Sequence, residues 1–165
     1  IPHVHPYVNN NGYMRQVDAI TLEEFIMLCK KLDLHPYIEI KGLTNGSVKS
    51  LTDIVKKMGM ARHCTWITHA TAVKNEIPYA RLGLLTTLSE SSIQQALALK
   101  TDTNEVFINT QNGTATKELC ELALSQDIGV EVWNVNSSSD VHSNVELGVT
   151  GITNDSLNIS KILQE

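Results

Sequence analysis

Six short apolar segments recur along this chain, and each is followed by a stretch with helical periodicity. That alternation restricts the fold more than any other feature. The segments are 36–41 (PYIEIK), 64–68 (CTWIT), 81–86 (RLGLLT), 105–110 (EVFINT), 129–135 (GVEVWNV) and 149–153 (VTGIT). Each is bounded by turn-forming residues, which marks it as a strand. The first helical pattern covers 21–32 and opens with Thr21 and Glu24, three residues apart, a capping box. Phe25, Leu28, Cys29 and Leu32 follow at helical spacing.

Further helices are expected after Ser47 (Leu51, Ile54, Val55, Met58), over 89–100 (Ile93, Ala96, Leu97, Leu99) and over 114–126 (Leu119, Leu122, Ala123). Shorter ones fit 138–147 and 156–164, whereas 70–79 is weakly patterned and Pro78 ends any helix there. Strands alternating with helices pair in parallel through right-handed crossovers. Two α/β architectures satisfy that rule: an open doubly wound sheet and a closed (β/α) barrel.

Polar residues gather near the strand C-termini: Glu39 and Lys41, Asn109, Trp133 with Asn136, and Asn154 with Asp155. In a barrel these ends ring one pocket. An open nucleotide-binding sheet would carry a glycine-rich turn after its first strand, and neither GxGxxG nor GxxxxGK[ST] occurs. The expectation is therefore a TIM-type (β/α) barrel, incomplete, with about six of the eight strand–helix units. No linker or low-complexity segment divides residues 1–165, which read as a single partial barrel domain.

A formal net charge of −5 without a basic stripe argues against a nucleic-acid partner. No apolar run reaches the roughly 20 residues of a membrane-spanning helix. Cys29, Cys64 and Cys120 are widely spaced and lie in apolar contexts, which reads as buried free thiols rather than disulfides or a zinc site. The chain opens with Ile1-Pro2 and no initiator Met, so it is expected to be part of a longer product.

The segment PYIEIKG (36–42) reads as a buried strand with Ile38 and Ile40 on one face and Glu39 and Lys41 side by side on the other. A buried carboxylate needs a cation, either Lys41 or a metal.

Three stretches in order resemble the glycerophosphodiester phosphodiesterase family. ITLEEFIMLCKKLDLHPYIEIKG (20–42) resembles its PTLEE helix and EIK strand; GVEVWNVNSSSD (129–140) resembles its late WTVN strand; LGVTGITNDSL (147–157) resembles its GVDGI ending, and RLGLL (81–85) is a fainter echo. In that register the visible strands match the third to eighth of the barrel. The family's HRG, E-x-D and HD motifs, which supply both catalytic histidines and two of three metal carboxylates, have no counterpart. His3 and His5 do not match HD, and no catalytic residue is identified in this chain.

The resemblance implies metal-dependent hydrolysis of a glycerophosphodiester, or of a glycerol-phosphate polymer. A divalent cation, calcium or magnesium, neutralises the phosphate. Glu39 matches the third metal carboxylate, Lys41 matches the phosphate contact, and Trp133, sharing a strand face with Glu131 and Val135, matches the wall that packs on glycerol. Asn109 and Gln111 share a face and either contact substrate hydroxyls or serve a turn. Asp155 reads as structural, and His35, His63 and His142 as solvent-facing. With both histidines absent, these residues alone are expected to be inactive. The alternatives are a catalytically dead barrel that binds a phosphodiester or serves as a structural module, and an unrelated barrel enzyme. Six strands leave two open edges, to be covered by missing N-terminal chain, a second copy in a homo-oligomer, or residues 1–19, which hold enough for one irregular strand.

Overall fold

The computed structural model describes residues 4–8, 14–18, 20–42 and 45–164. His3 lies outside them. The elements run β1 (Val4–Val8), β2 (Met14–Asp18), α1 (Leu22–Lys31), β3 (Tyr37–Glu39), α2 (Asn45–Lys57), β4 (Thr65–Ile67), α3 (Ala70–Glu76), β5 (Arg81–Leu85), α4 (Glu90–Leu99), β6 (Val106–Gln111), α5 (Lys117–Ser125), β7 (Gly129–Trp133), α6 (Ser138–Glu146), β8 (Gly151–Ile152) and α7 (Ile159–Ile162). Strands β3 to β8 form one six-stranded sheet in sequence order, and every pairing in it is parallel.

Tyr37 Oη on β3 lies 3.3 Å from Glu131 Oε1 on β7. Strands four places apart in a flat sheet are separated by roughly 19 Å, so that contact requires strong curling. The sheet is a half-barrel of TIM type, with helices outside and a lumen inside.

Alternation sorts the side chains. Ile38, Trp66 and Leu82 point outward and pack with Val48, Val55, Val73 and Ile77 from the helices. Ile108 and Val130 meet Ile93, Ala96, Cys120 and Ala123, and Val132 meets Val141 and Ile162. Tyr37, Arg81, Phe107, Asn109 and Glu131 face the lumen. Glycines make room there: a Cβ on Gly83 would lie 2.5 Å from Phe107 Cζ, and one on Gly151 would lie 2.8 Å from Glu131 Cδ.

Local signals act as expected at the helix starts. Thr21 Oγ1 accepts from Glu24 N at 3.2 Å, and Thr21 N donates to Glu24 Oε2 at 2.8 Å, so the capping box forms. Ser89, Thr116 and Ser137 cap α4, α5 and α6. The three cysteines are free and buried; burial, then the neighbouring Cys29, pushes the Cys64 thiol up to about 12.

Residues 70–79, weakly patterned in sequence, hold α3, which ends ahead of Pro78 as expected, with Val73 and Ile77 fully buried. Three expectations need correction. The buried stripe of α1 is Ile26 and Cys29, with Leu22 and Phe25 partly covered; Leu28 and Leu32, placed in the stripe from spacing, are exposed. The final helix is only Ile159–Ile162. Where one irregular strand was expected, Val4–Val8 and Met14–Asp18 are two, paired antiparallel in a sheet separate from the six-stranded one.

Candidate functional site

The C-terminal mouth of the lumen carries the charges singled out in PYIEIKG. Glu39 closes β3, and Lys41 stands two residues on, with Nζ 3.3 Å from Glu39 Oε2. The shared face is as expected, but the pair is not buried: the side chains are 35% and 78% exposed. An ion pair so exposed contributes about 0–1 kcal/mol, so Lys41 is easily exchanged for another cation or turned toward an anion.

The backbone beneath this pair is fixed from the neighbouring strand. Thr68 Oγ1 accepts from Ile40 N at 3.2 Å and donates to Ile40 O at 2.7 Å, gripping the residue between Glu39 and Lys41. Thr68 and His69 both have positive φ, 71° and 49°. A β-branched residue in that region costs about 1–3 kcal/mol, and such strain gathers at functional loops. Sequence reasoning missed Thr68; a threonine just past a strand gives no signal of its backbone geometry.

Trp133 ends β7 on the lumenal side, half-buried, with Nε1 lacking a partner among the described residues. Val135 does not share its face. The strand stops at Trp133, and Val135 turns to the outer layer with Val132, Val141 and Ile162. Asn109 and Gln111 both face the lumen from β6, Asn109 buried and Gln111 exposed. Two side-chain clamps hold the surrounding loops. Asn136 Nδ2 donates to Asp155 Oδ2 at 2.7 Å while Asp155 N donates to Asn136 Oδ1 at 3.1 Å. Asn144 Nδ2 donates to Asn112 Oδ1 at 2.8 Å. Asp155 is structural, as expected, but Asn158 rather than Asp155 caps the last helix.

A second polar centre, unforeseen in the sequence, fills the opposite end of the lumen. Arg81 Nη2 donates to Glu131 Oε1 at 2.5 Å, Nη1 to Tyr37 Oη at 2.8 Å and to Thr65 Oγ1 at 3.1 Å, and Nε to Glu105 Oε2 at 3.1 Å. Its guanidinium lies 4.4 Å from the Phe107 ring centre. Burial opposes the Arg81 charge, but the Glu131 carboxylate outweighs it and raises the pKa. Burial, then Glu131, pushes the Tyr37 phenol up. His35 is exposed, as expected, yet its Nε2 lies 2.8 Å from Thr65 Oγ1; burial of the ring, then Arg81 and His63, holds it below its usual value. A cavity of about 560 Å³ opens beside these groups, bordered by Arg62 and Tyr79. Residues at this end of a barrel serve stability rather than chemistry, and Arg81 joins β3, β5 and β7 across the lumen.

Among the described residues, no three His, Cys, Asp or Glu side chains are grouped to hold a metal. Calcium takes six to eight oxygen ligands and magnesium six. Glu39 is one carboxylate, so the described residues do not by themselves make a complete site for either ion.

No family model matches the sequence, and no curated protein matches it. Solved structures do. A glycerophosphodiester phosphodiesterase from Parabacteroides distasonis superposes with TM-score 0.71 at 17% identity, covering 94% of this chain and 66% of its own. A phosphodiesterase from Oleispira antarctica, in complex with the product sn-glycerol-3-phosphate, gives TM-score 0.73 at 10% identity, covering 92% of this chain and 62% of its own. The chain has a partial fold like that of glycerophosphodiester phosphodiesterases. It spans 57–66% of the lengths of the solved structures it matches. The glycerophosphodiester phosphodiesterase likeness covers more than nine-tenths of the chain.

Proposed function

We propose that the C-terminal mouth of this half-barrel is one side of a glycerophosphodiester-binding site, and that a barrel carrying it hydrolyses such esters to an alcohol and glycerol phosphate with a divalent cation. The observation that supports this most is the juxtaposition of Glu39 and Lys41, 3.3 Å apart at the strand ends of a fold shared with such enzymes. In this reading Lys41 leaves Glu39 to meet a phosphate oxygen, Trp133 walls the glycerol, and Glu39 is one ligand of calcium or magnesium, the others lying outside the described residues. The ligand is a small glycerophosphodiester or a glycerol-phosphate polymer. The outer edges of β3 and β8 are covered by further chain or by a second copy.

Hydrolysis of glycerophosphocholine with added calcium or magnesium tests the proposal. A barrel that joins these residues to the family's first two strands is active and loses about 10²–10³-fold on Lys41→Met, as expected for a lost electrostatic contact to developing charge. These 165 residues alone give no hydrolysis. Activity from them alone, or a Glu39→Gln barrel as active as its parent, would refute the assignment.

A second reading has one observation in its favour: Glu39 already has a cation in Lys41. It makes the domain a phosphodiester-binding or structural module without catalysis, and it predicts binding with no turnover in any longer form.

A further inference from the structure

Among the described residues, Arg81 serves two carboxylates and Arg62 serves none. Glu131 and Glu105 both draw on the Arg81 guanidinium, Glu105 through Oε2 at 3.1 Å from Nε. Glu131 and Tyr37 Oη fix Arg81 in the lumen, so Glu105, with its side chain 79% exposed, keeps only a share of that cation. The Arg62 guanidinium lies 4.3 Å from the centre of the Tyr79 ring. Stacking of this kind leaves the edge of the fork open to an oxyanion. Arg62 and Glu105 border the same cavity of about 560 Å³, yet they do not pair with each other. One part of its wall therefore lacks an anion, and another is short of a cation.

The rings of Tyr37 and Tyr79 supply apolar wall to the same cavity, and Tyr37 is 45% exposed there. His35 adds no charge at neutral pH, since burial of its ring, then Arg81, holds the imidazole below its usual value. Arg62 and Arg81 thus balance Glu105 and Glu131. A ligand that carries both charges and no net charge complements such a wall better than a simple anion or cation does. We propose that this cavity binds a small amino-acid zwitterion, with its carboxylate on Arg62, its ammonium on Glu105 and its carbon skeleton against Tyr37 and Tyr79. The Arg81 contacts form the fixed floor of the site, in keeping with the stabilising role of this end of a barrel. The cavity lies at the opposite end of the lumen from Glu39 and Lys41, and its reading is independent of the mouth.

Calorimetric titration of the full chain with 6-aminohexanoate, hexanoate and hexylamine tests the proposal. The zwitterion is expected to bind saturably, and each single-charge analogue to bind at least about 3-fold more weakly, the loss of one charged contact at a partly exposed site. Arg62→Gln is expected to weaken 6-aminohexanoate by about 3- to 10-fold and to leave hexylamine unchanged. Glu105→Gln is expected to weaken 6-aminohexanoate and to leave hexanoate unchanged. Both side chains are exposed, so each variant should fold as its parent does. No binding of 6-aminohexanoate, either analogue binding as tightly as the zwitterion, or an Arg62→Gln chain that binds the zwitterion like its parent would overturn the proposal.

Discussion

Replacing Arg81 with Met tests whether the cross-lumen contact holds the half-barrel curled. Glu131 is only 4% exposed and Arg81 26%, and the two are joined at 2.5 Å. Without the guanidinium, the carboxylate keeps one donor from the described side chains, Tyr37 Oη at 3.3 Å. Breaking a buried ion pair from one side costs about 3–5 kcal/mol, because the remaining charge stays desolvated. Arg81 is partly wet, so the lower end applies, about 3 kcal/mol. For a domain of this size each kcal/mol moves Tm by about 2–4 °C, giving a fall of about 6–12 °C by circular dichroism. Two controls sharpen the result. Glu105→Gln, whose side chain is 79% exposed, should cost under about 1 kcal/mol. Arg81→Met combined with Glu131→Leu removes both charges and should recover most of the loss. An Arg81→Met chain within about 1 kcal/mol of the parent, or a double variant weaker than the single one, would refute the reasoning.

His35 gives a pH signature. Burial of its ring, then Arg81 and His63, holds the imidazole below its ordinary 6.5, so the folded chain binds this proton more weakly than the unfolded one. Its contribution is full above about pH 6.5 and is lost as pH falls through the folded value; Tm against pH should flatten over that window in His35→Gln, and an unchanged curve would contradict the assignment. Gly83→Ala places a Cβ 2.5 Å from Phe107 Cζ and should cost about 1–3 kcal/mol in urea unfolding, relieved when Phe107→Leu is added. Thr68→Val keeps the β-branch but removes both hydrogen bonds to Ile40, and should cost about 1–3 kcal/mol by the same assay.

The rhythm of strands and helices was legible because a half-barrel strand packed under helices is a short apolar run. Ile38, Leu82, Ile108 and Val130 all proved to face the helices. Glu39 and Lys41 were legible as a pair because strand parity alone puts them on one side. Their burial was misjudged, since exposure at a strand end depends on what covers the mouth. The α1 stripe was misplaced because Leu28 and Leu32 match the period as well as Ile26 does; which leucines are covered is decided by tertiary packing. The antiparallel pairing of β1 with β2 went unforeseen, because only one irregular strand was expected from that part of the chain. The Arg81 centre joins residues 50 apart in sequence, and only the curl of the sheet brings them together. One clue was available: Glu131 in the middle of GVEVW needs a cation from another strand. That Trp133 Nε1 lacks a partner among the described residues had no sequence sign, because any Trp at a strand end can find one.

The most direct test of the glycerophosphodiester-binding mouth is an equilibrium titration of sn-glycerol 3-phosphate, with calcium present, into a barrel that joins these residues to the family's first two strands, followed by tryptophan fluorescence and repeated in Lys41→Met and Glu39→Gln. The account predicts saturable binding that weakens at least about 10-fold on loss of Lys41, the worth of one charge-assisted contact. It also predicts that Glu39→Gln abolishes the dependence on calcium. No binding, or binding that both variants leave unchanged, would contradict it.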